Sequence, residues 1–87
     1  DWYIRSNRES GDGFSDILIE IEEEKKGIVI EVKYPDNGNL EKGCADALEQ
    51  IERVVYAAAL RQEGMSTIIK YGIACNRKSC MVRVGQD

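Results

Sequence analysis

The chain has 87 residues, 43% of them apolar, so it can build one modest core and a single domain. Its net charge is −4, with 12 basic residues scattered along the chain rather than gathered in a stripe, which argues against tight, autonomous nucleic-acid binding. Histidine is absent. That excludes histidine-based triads and Cys/His zinc sites, and leaves carboxylates and carbonyls, ligands suited to a hard cation, to hold any metal.

In chain order, Trp2 to Asn7 alternates loosely and predicts a first strand, and Ser10-Gly11-Asp12-Gly13 predicts a turn. Phe14 to Ile21 alternates cleanly, with Ile17, Ile19 and Ile21 on one face and Asp16, Leu18 and Glu20 on the other. A charged, solvated loop, Glu22 to Gly27, leads to a third strand over Ile28 to Tyr34. There Ile28, Ile30 and Val32 share one face, and Val29, Glu31 and Lys33 the other. Pro35, which cannot donate to a ladder, closes that strand with Asp36-Asn37-Gly38.

From about Leu40 to Glu63 the period becomes helical, with Cys44, Ala47, Leu48, Ile51, Val54, Val55 and Ala58 on one face. Asn39 is the expected N-cap and Gly64 the expected C′ residue. Ser66 to Cys75 reads as a strand, Asn76 to Ser79 as a turn, and Cys80 to Val84 as a last strand. Within the fourth strand, Lys70-Tyr71 reads as its exposed side. The order is therefore β-β-β-α-β-β, and a helix long enough to cross over favours one parallel pairing in an otherwise antiparallel sheet. The helix is expected to cover the Ile/Val face and leave the polar face bare.

Cys44, Cys75 and Cys80 form no CxxC and leave an odd count, which predicts free thiols and a reducing cytoplasm, although Cys75 and Cys80 flank a turn. No apolar run approaches membrane-spanning length. The chain begins at Asp1 and ends in the polar Val84-Gly85-Gln86-Asp87, so it is expected to be a piece of a longer protein, and a core this small would gain from pairing as a homodimer.

Pairing the second and third strands about a turn centred between Glu24 and Lys25 sets Asp16 opposite Lys33 and Leu18 opposite Glu31. Asp16, Glu31 and Lys33 then share a face. A slip of two residues would keep that sharing while sliding the three along one another. An Asp, a Glu and a Lys on a hairpin are, by themselves, most often cross-strand charge pairs. The company they keep here is more specific.

Gly11-x-Gly13-x-x-Asp16-Ile17-Leu18, then Ile28-Val29-Ile30-Glu31-Val32-Lys33, then Ala47-Leu48-Glu49-Gln50-Ile51 in a helix resemble the PD-(D/E)xK nuclease superfamily over nearly the whole chain. The stretch Ser6 to Gly13 and the helix with Gln50 and Tyr56 are similar to RecB-like domains that follow an AAA-ATPase-like region in bacterial proteins. The resemblance implies an α/β (α+β) class, restriction-endonuclease-like mixed sheet filling one domain over 1–87, with the family's N-terminal core helix absent from this stretch. It implies that Asp16, Glu31 and the Val32 carbonyl hold Mg2+ or Mn2+, that Lys33 orients and activates the attacking water, and that Gln50 reaches the site from the helix. The implied activity is metal-dependent phosphodiester hydrolysis, with DNA as substrate and an ATPase-like domain in the intact protein. The alternative is a nuclease fold kept as a non-catalytic interaction or regulatory module attached to that ATPase-like domain.

Overall fold

The computed structural model describes residues 2–9, 14–53 and 60–86, and the backbone alone for 5–9, 14–16, 53 and 86. Its elements are β1 (Trp2–Glu9), β2 (Phe14–Ile21), a 3-10 turn (Glu22–Glu24), β3 (Lys26–Lys33), α1 (Leu40–Arg53), β4 (Thr67–Asn76) and β5 (Ser79–Gln86). The strands form one five-stranded sheet in the order β1-β2-β3-β4-β5. Only the β3–β4 pair is parallel, and it is the pair the helical crossover joins. The expected β-β-β-α-β-β order holds. Among the described residues no helix is long and apolar enough to cross a membrane.

The β2–β3 register departs from expectation by two residues. Asp16 pairs with Glu31, not Lys33, and Leu18 pairs with Val29, not Glu31. The cause is local. Glu22–Glu24 winds into a 3-10 turn, Lys25 takes the left-handed conformation at φ 52° and donates its N–H to the Glu22 carbonyl at 3.1 Å, and the ladder resumes with Ile21 opposite Lys26. The hairpin therefore closes one residue earlier than a turn centred on Glu24-Lys25 would.

The covered face is also the reverse of the expected one. Val29 and Ile68, from the face shared with Glu31 and Lys70, form the core with Ile51, Leu60 and Met65, and Leu18 and Leu48 pack against it. On the opposite face Ile17, Ile19, Ile28, Ile30 and Val32 stay half-buried, although Ile21 at the end of β2 is buried. The register adds the exposed Trp2, Ile4, Val82 and Val84 to that same open face.

Glycine, not hydrophobicity, decides which face the helix takes. A Cβ at position 72 would stand 2.6 Å from the Cys44 carbonyl oxygen and 3.3 Å from the Ala47 Cβ. The helix backbone can come that close only over a residue with no side chain. Gly43 lies over Ala74 and Leu60 lies over Gly27 in the same manner. The other face of β4, with Ile69, Tyr71 and Ile73, offers no such seat.

The helix ends follow the sequence signals. Asn39 caps α1, its Oδ1 accepting the Lys42 N–H at 3.1 Å. Residues 60–62 are helical, and Gly64 sits at φ +95° with its N–H donating to the Arg61 carbonyl, while the Met65 N–H reaches the Leu60 carbonyl. That pair of bonds is a Schellman closure, and its Leu60 and Met65 both enter the core. The expected helix over 40–63 thus has α1 at one end and this closure at the other; 54–59 between them, including Tyr56, and the turn glycines Gly11 and Gly13 lie outside the described residues.

The cysteines differ from expectation. Cys75 and Cys80 face each other directly across the β4–β5 ladder and form a disulfide, leaving the buried Cys44 as the free thiol. The inference from free thiols to a reducing compartment therefore loses its basis for this pair.

Two outcomes follow for the fold. Gly72→Ala is expected to cost about 3 kcal/mol, because its Cβ meets backbone, whereas Gly64→Ala, with nothing within 4 Å, loses only about 1 kcal/mol to its left-handed backbone. Equal, small losses in urea unfolding would mean that α1 is not seated over Gly72. Thiol titration of the denatured, unreduced chain should find one reactive thiol; three would refute the disulfide.

Candidate functional site

The site is built from the middle of the sheet outward. Glu31 stands in β3 between Asp16 of β2 and Gly72 of β4, its register neighbours on either side. Because α1 lies directly over Gly72, Glu31 is 1% exposed. Directly opposed residues of an antiparallel pair have Cα atoms about 5 Å apart, and diagonal ones about 7–8 Å. The two-residue slip therefore sets the Asp16 and Glu31 positions face to face and puts Lys33 on the diagonal from Asp16.

Lys33 ends β3, and its surroundings come from the chain just after it. Pro35 stops the strand, and its carbonyl accepts the Asn76 side-chain amide at 2.8 Å and the Gly38 N–H at 3.1 Å, which fixes the exit. From that end the Lys33 Nζ donates to Gln50 Oε1 of α1 at 3.3 Å. Gln50 precedes the fully buried Ile51, so it stands on the flank of the helix, within reach of β3. The structure thus brings Glu31, Lys33 and Gln50 under one helix, with the Asp16 position beside them.

Val32 lies between them in sequence, its side chain half-buried on the open face and its backbone paired with Ser15 and Ile73. Among the described residues no group of three or more Asp, Glu or Cys side chains gathers as a metal cluster. The Asp16 side chain is not among the described atoms. Glu31 carries hard oxygen donors of the kind a small divalent cation takes, and the Asp16 position lies directly opposite it on β2. A shallow cleft of about 280 Å³ beside Pro35, Asn37, Lys42 and Asp46 lies outside this group, and its Lys42 and Asp46 pair with each other at 3.2 Å.

A family model described as the PD-(D/E)XK nuclease superfamily matches residues 1–84. The chain belongs to the PD-(D/E)XK nuclease superfamily. No curated protein and no solved structure matches it. For a PD-(D/E)XK chain the mixed five-stranded sheet with its crossover helix is the compatible fold, and nucleases of this superfamily generally use divalent metals.

One group at this PD-(D/E)XK core was misread in the sequence. Lys70 was expected on the exposed side of its strand; it is 3% exposed and ion-paired with Glu52 of α1. The signal that could have placed it is parity with Gly72, the residue over which the helix must pass. The Lys33–Gln50 bond gives a direct test. Gln50→Ala should lower stability by about 1 kcal/mol in urea unfolding, and no loss would mean that the bond is not held in solution.

Proposed function

We propose that this chain is the core of a divalent-metal-dependent phosphodiesterase acting on DNA. The observation that carries the reading is the direct opposition of Asp16 and Glu31 on the two central strands, with Lys33 on the same face. Asp16, Glu31 and the Val32 carbonyl would hold magnesium or manganese. The ion, when bound, would polarise a phosphoryl oxygen and make a bound water more acidic. Lys33 orients the attacking water and stabilises the charge that develops on the phosphate. Gln50 accepts a hydrogen bond from the ammonium and so helps to fix its place. Burial of Glu31 beneath α1 keeps bulk water away from the carboxylate and strengthens its interaction with a cation.

The finer context rests on sequence resemblance. The Ser6–Gly13 stretch and the Gln50 helix support a RecB-like subtype, an ATPase-like domain in the same polypeptide and a bacterial cytoplasmic setting. The open apolar face of the sheet is the surface a second copy would cover in a homodimer. Five strands about 4.8 Å apart and eight residues long make it roughly 600 Å² across, near the lower end of what a stable interface takes from each partner.

A second reading has one observation in its favour. The net charge of −4, without a basic stripe, suits a nuclease fold retained as a regulatory or interaction module rather than one that grips DNA itself.

Metal affinity separates the two. Titrating magnesium or manganese into the chain should give saturable backbone NMR shifts centred on Asp16, Glu31 and Val32 that vanish in Asp16→Asn. In the intact protein, Lys33→Ala should retain its fold and lose at least about 100-fold in cleavage rate. A chain that takes no metal supports the non-catalytic module, and cleavage undiminished in Lys33→Ala would remove Lys33 from the chemistry.

A further inference from the structure

We propose that Lys70 and Glu52 form a positioning pair that fixes the rotation of α1 about its own axis and so holds Gln50 against Lys33; the inference rests on the site assigned above. Ile51 is fully buried and points at the sheet. At about 100° per residue, Gln50 and Glu52 stand on opposite flanks of that contact. A lysine from β3 bonds one flank, since the Lys33 Nζ donates to Gln50. A lysine from β4 bonds the other, since the Lys70 Nζ is paired with Glu52. Two adjacent parallel strands thus hold the helix from both sides of Ile51.

The magnitudes favour orientation over stability. At a side-chain radius of about 5–6 Å, a roll of 10° moves a helix side chain by about 1 Å. The Lys33–Gln50 bond is already 3.3 Å long, so a roll of that size away from β3 breaks it. Seating over Gly72 sets the depth and the approximate rotation of α1, and the ion pair on its flank adds a directional contact against a small roll. Lys70 is 3% exposed and the side chain of Glu52 is 63% exposed, so water screening keeps the net stabilisation from that one pair small.

The test uses Lys70→Met and Glu52→Ala in the 87-residue chain, read by the NMR signals of the Gln50 side-chain amide and the Lys33 Cε. Both variants should keep the fold, and both should move the Gln50 and Lys33 signals. Glu52→Gln, which keeps an oxygen acceptor for Lys70, should leave those signals near their wild-type positions. Should Lys70→Met fail to fold, Glu52→Ala, a change at an exposed position, still decides. Gln50 and Lys33 signals that stay put in Glu52→Ala overturn the proposal. Where the intact protein cleaves DNA, the same two variants should lose up to about 100-fold in kcat with little change in KM. Moved signals in a wild type that cleaves nothing would leave the positioning pair standing and remove the catalytic reading instead.

Discussion

The contact on which the rest of the structure depends is the seating of α1 over Gly72. The Cys44 carbonyl comes nearer to this position than any Cβ would permit, so the helix is laid almost directly on the β4 backbone. Gly72 is also the β4 neighbour of Glu31. One missing side chain therefore sets both the depth of the helix and the burial of the carboxylate beside it. Asn39 at the start of α1 and the Schellman closure at Gly64 fix where the crossover begins and where the chain turns back toward β4. With the helix so placed, Ile51 points down, and the flanking polar residues are brought over the ends of the two lysines.

The resulting division of residues is not the one that stability alone would select. Glu31, Lys33 and Lys70 lie on the helix-covered face, while an isoleucine-rich surface spanning several strands is left open. Burying charge is expensive unless each charge finds partners, and exposed apolar surface forgoes a gain of about 25 cal/mol per Å². Both departures point the same way. Local preferences are set aside where a site must be held rigidly, and here the polar groups occupy the better-packed side of the sheet. The open face is the complement of that choice: its apolar residues remain for another segment or another chain to cover.

Much of the fold was legible in the sequence because its signals are local. Period-two alternation marked the strands, Pro35 ended β3, Asn39 and Gly64 punctuated the helix, and the length of the crossover implied the parallel pair. What could not be read depended on pairs of distant residues. The register of β2 on β3 turned on a 3-10 turn and a left-handed Lys25, which the run Glu22 to Lys26 does not announce, since any of its residues tolerates several turn types. The covered face turned on Gly72, whose importance appears only once Cys44 and Ala47 are known to lie above it. Counting apolar residues favoured the opposite face, and the reading of Lys70 as exposed followed from that one error. The opposition of Cys75 and Cys80 required the β4–β5 register.

The sharing of one face by the Asp16, Glu31 and Lys33 positions is independent of these errors for a physical reason. Side chains alternate strictly along a strand, so a slip of two residues changes distances but not faces, whereas a slip of one would have sent Asp16 to the far side of the sheet from Glu31 and Lys33. Grouping by face is accordingly the most robust inference that a strand sequence permits. Here the slip strengthened the grouping, by placing two acids in direct opposition where one acid and one lysine had been expected. Two acids at directly opposed positions are an unfavourable cross-strand pair, and a pair chosen for stability would hold opposite charges. Under the proposed reading a cation would offset that repulsion, which the expected Asp–Lys pairing would not have required. In the proposed reading Lys33, on the diagonal from Asp16 and bonded to Gln50, would stand beside such a cation.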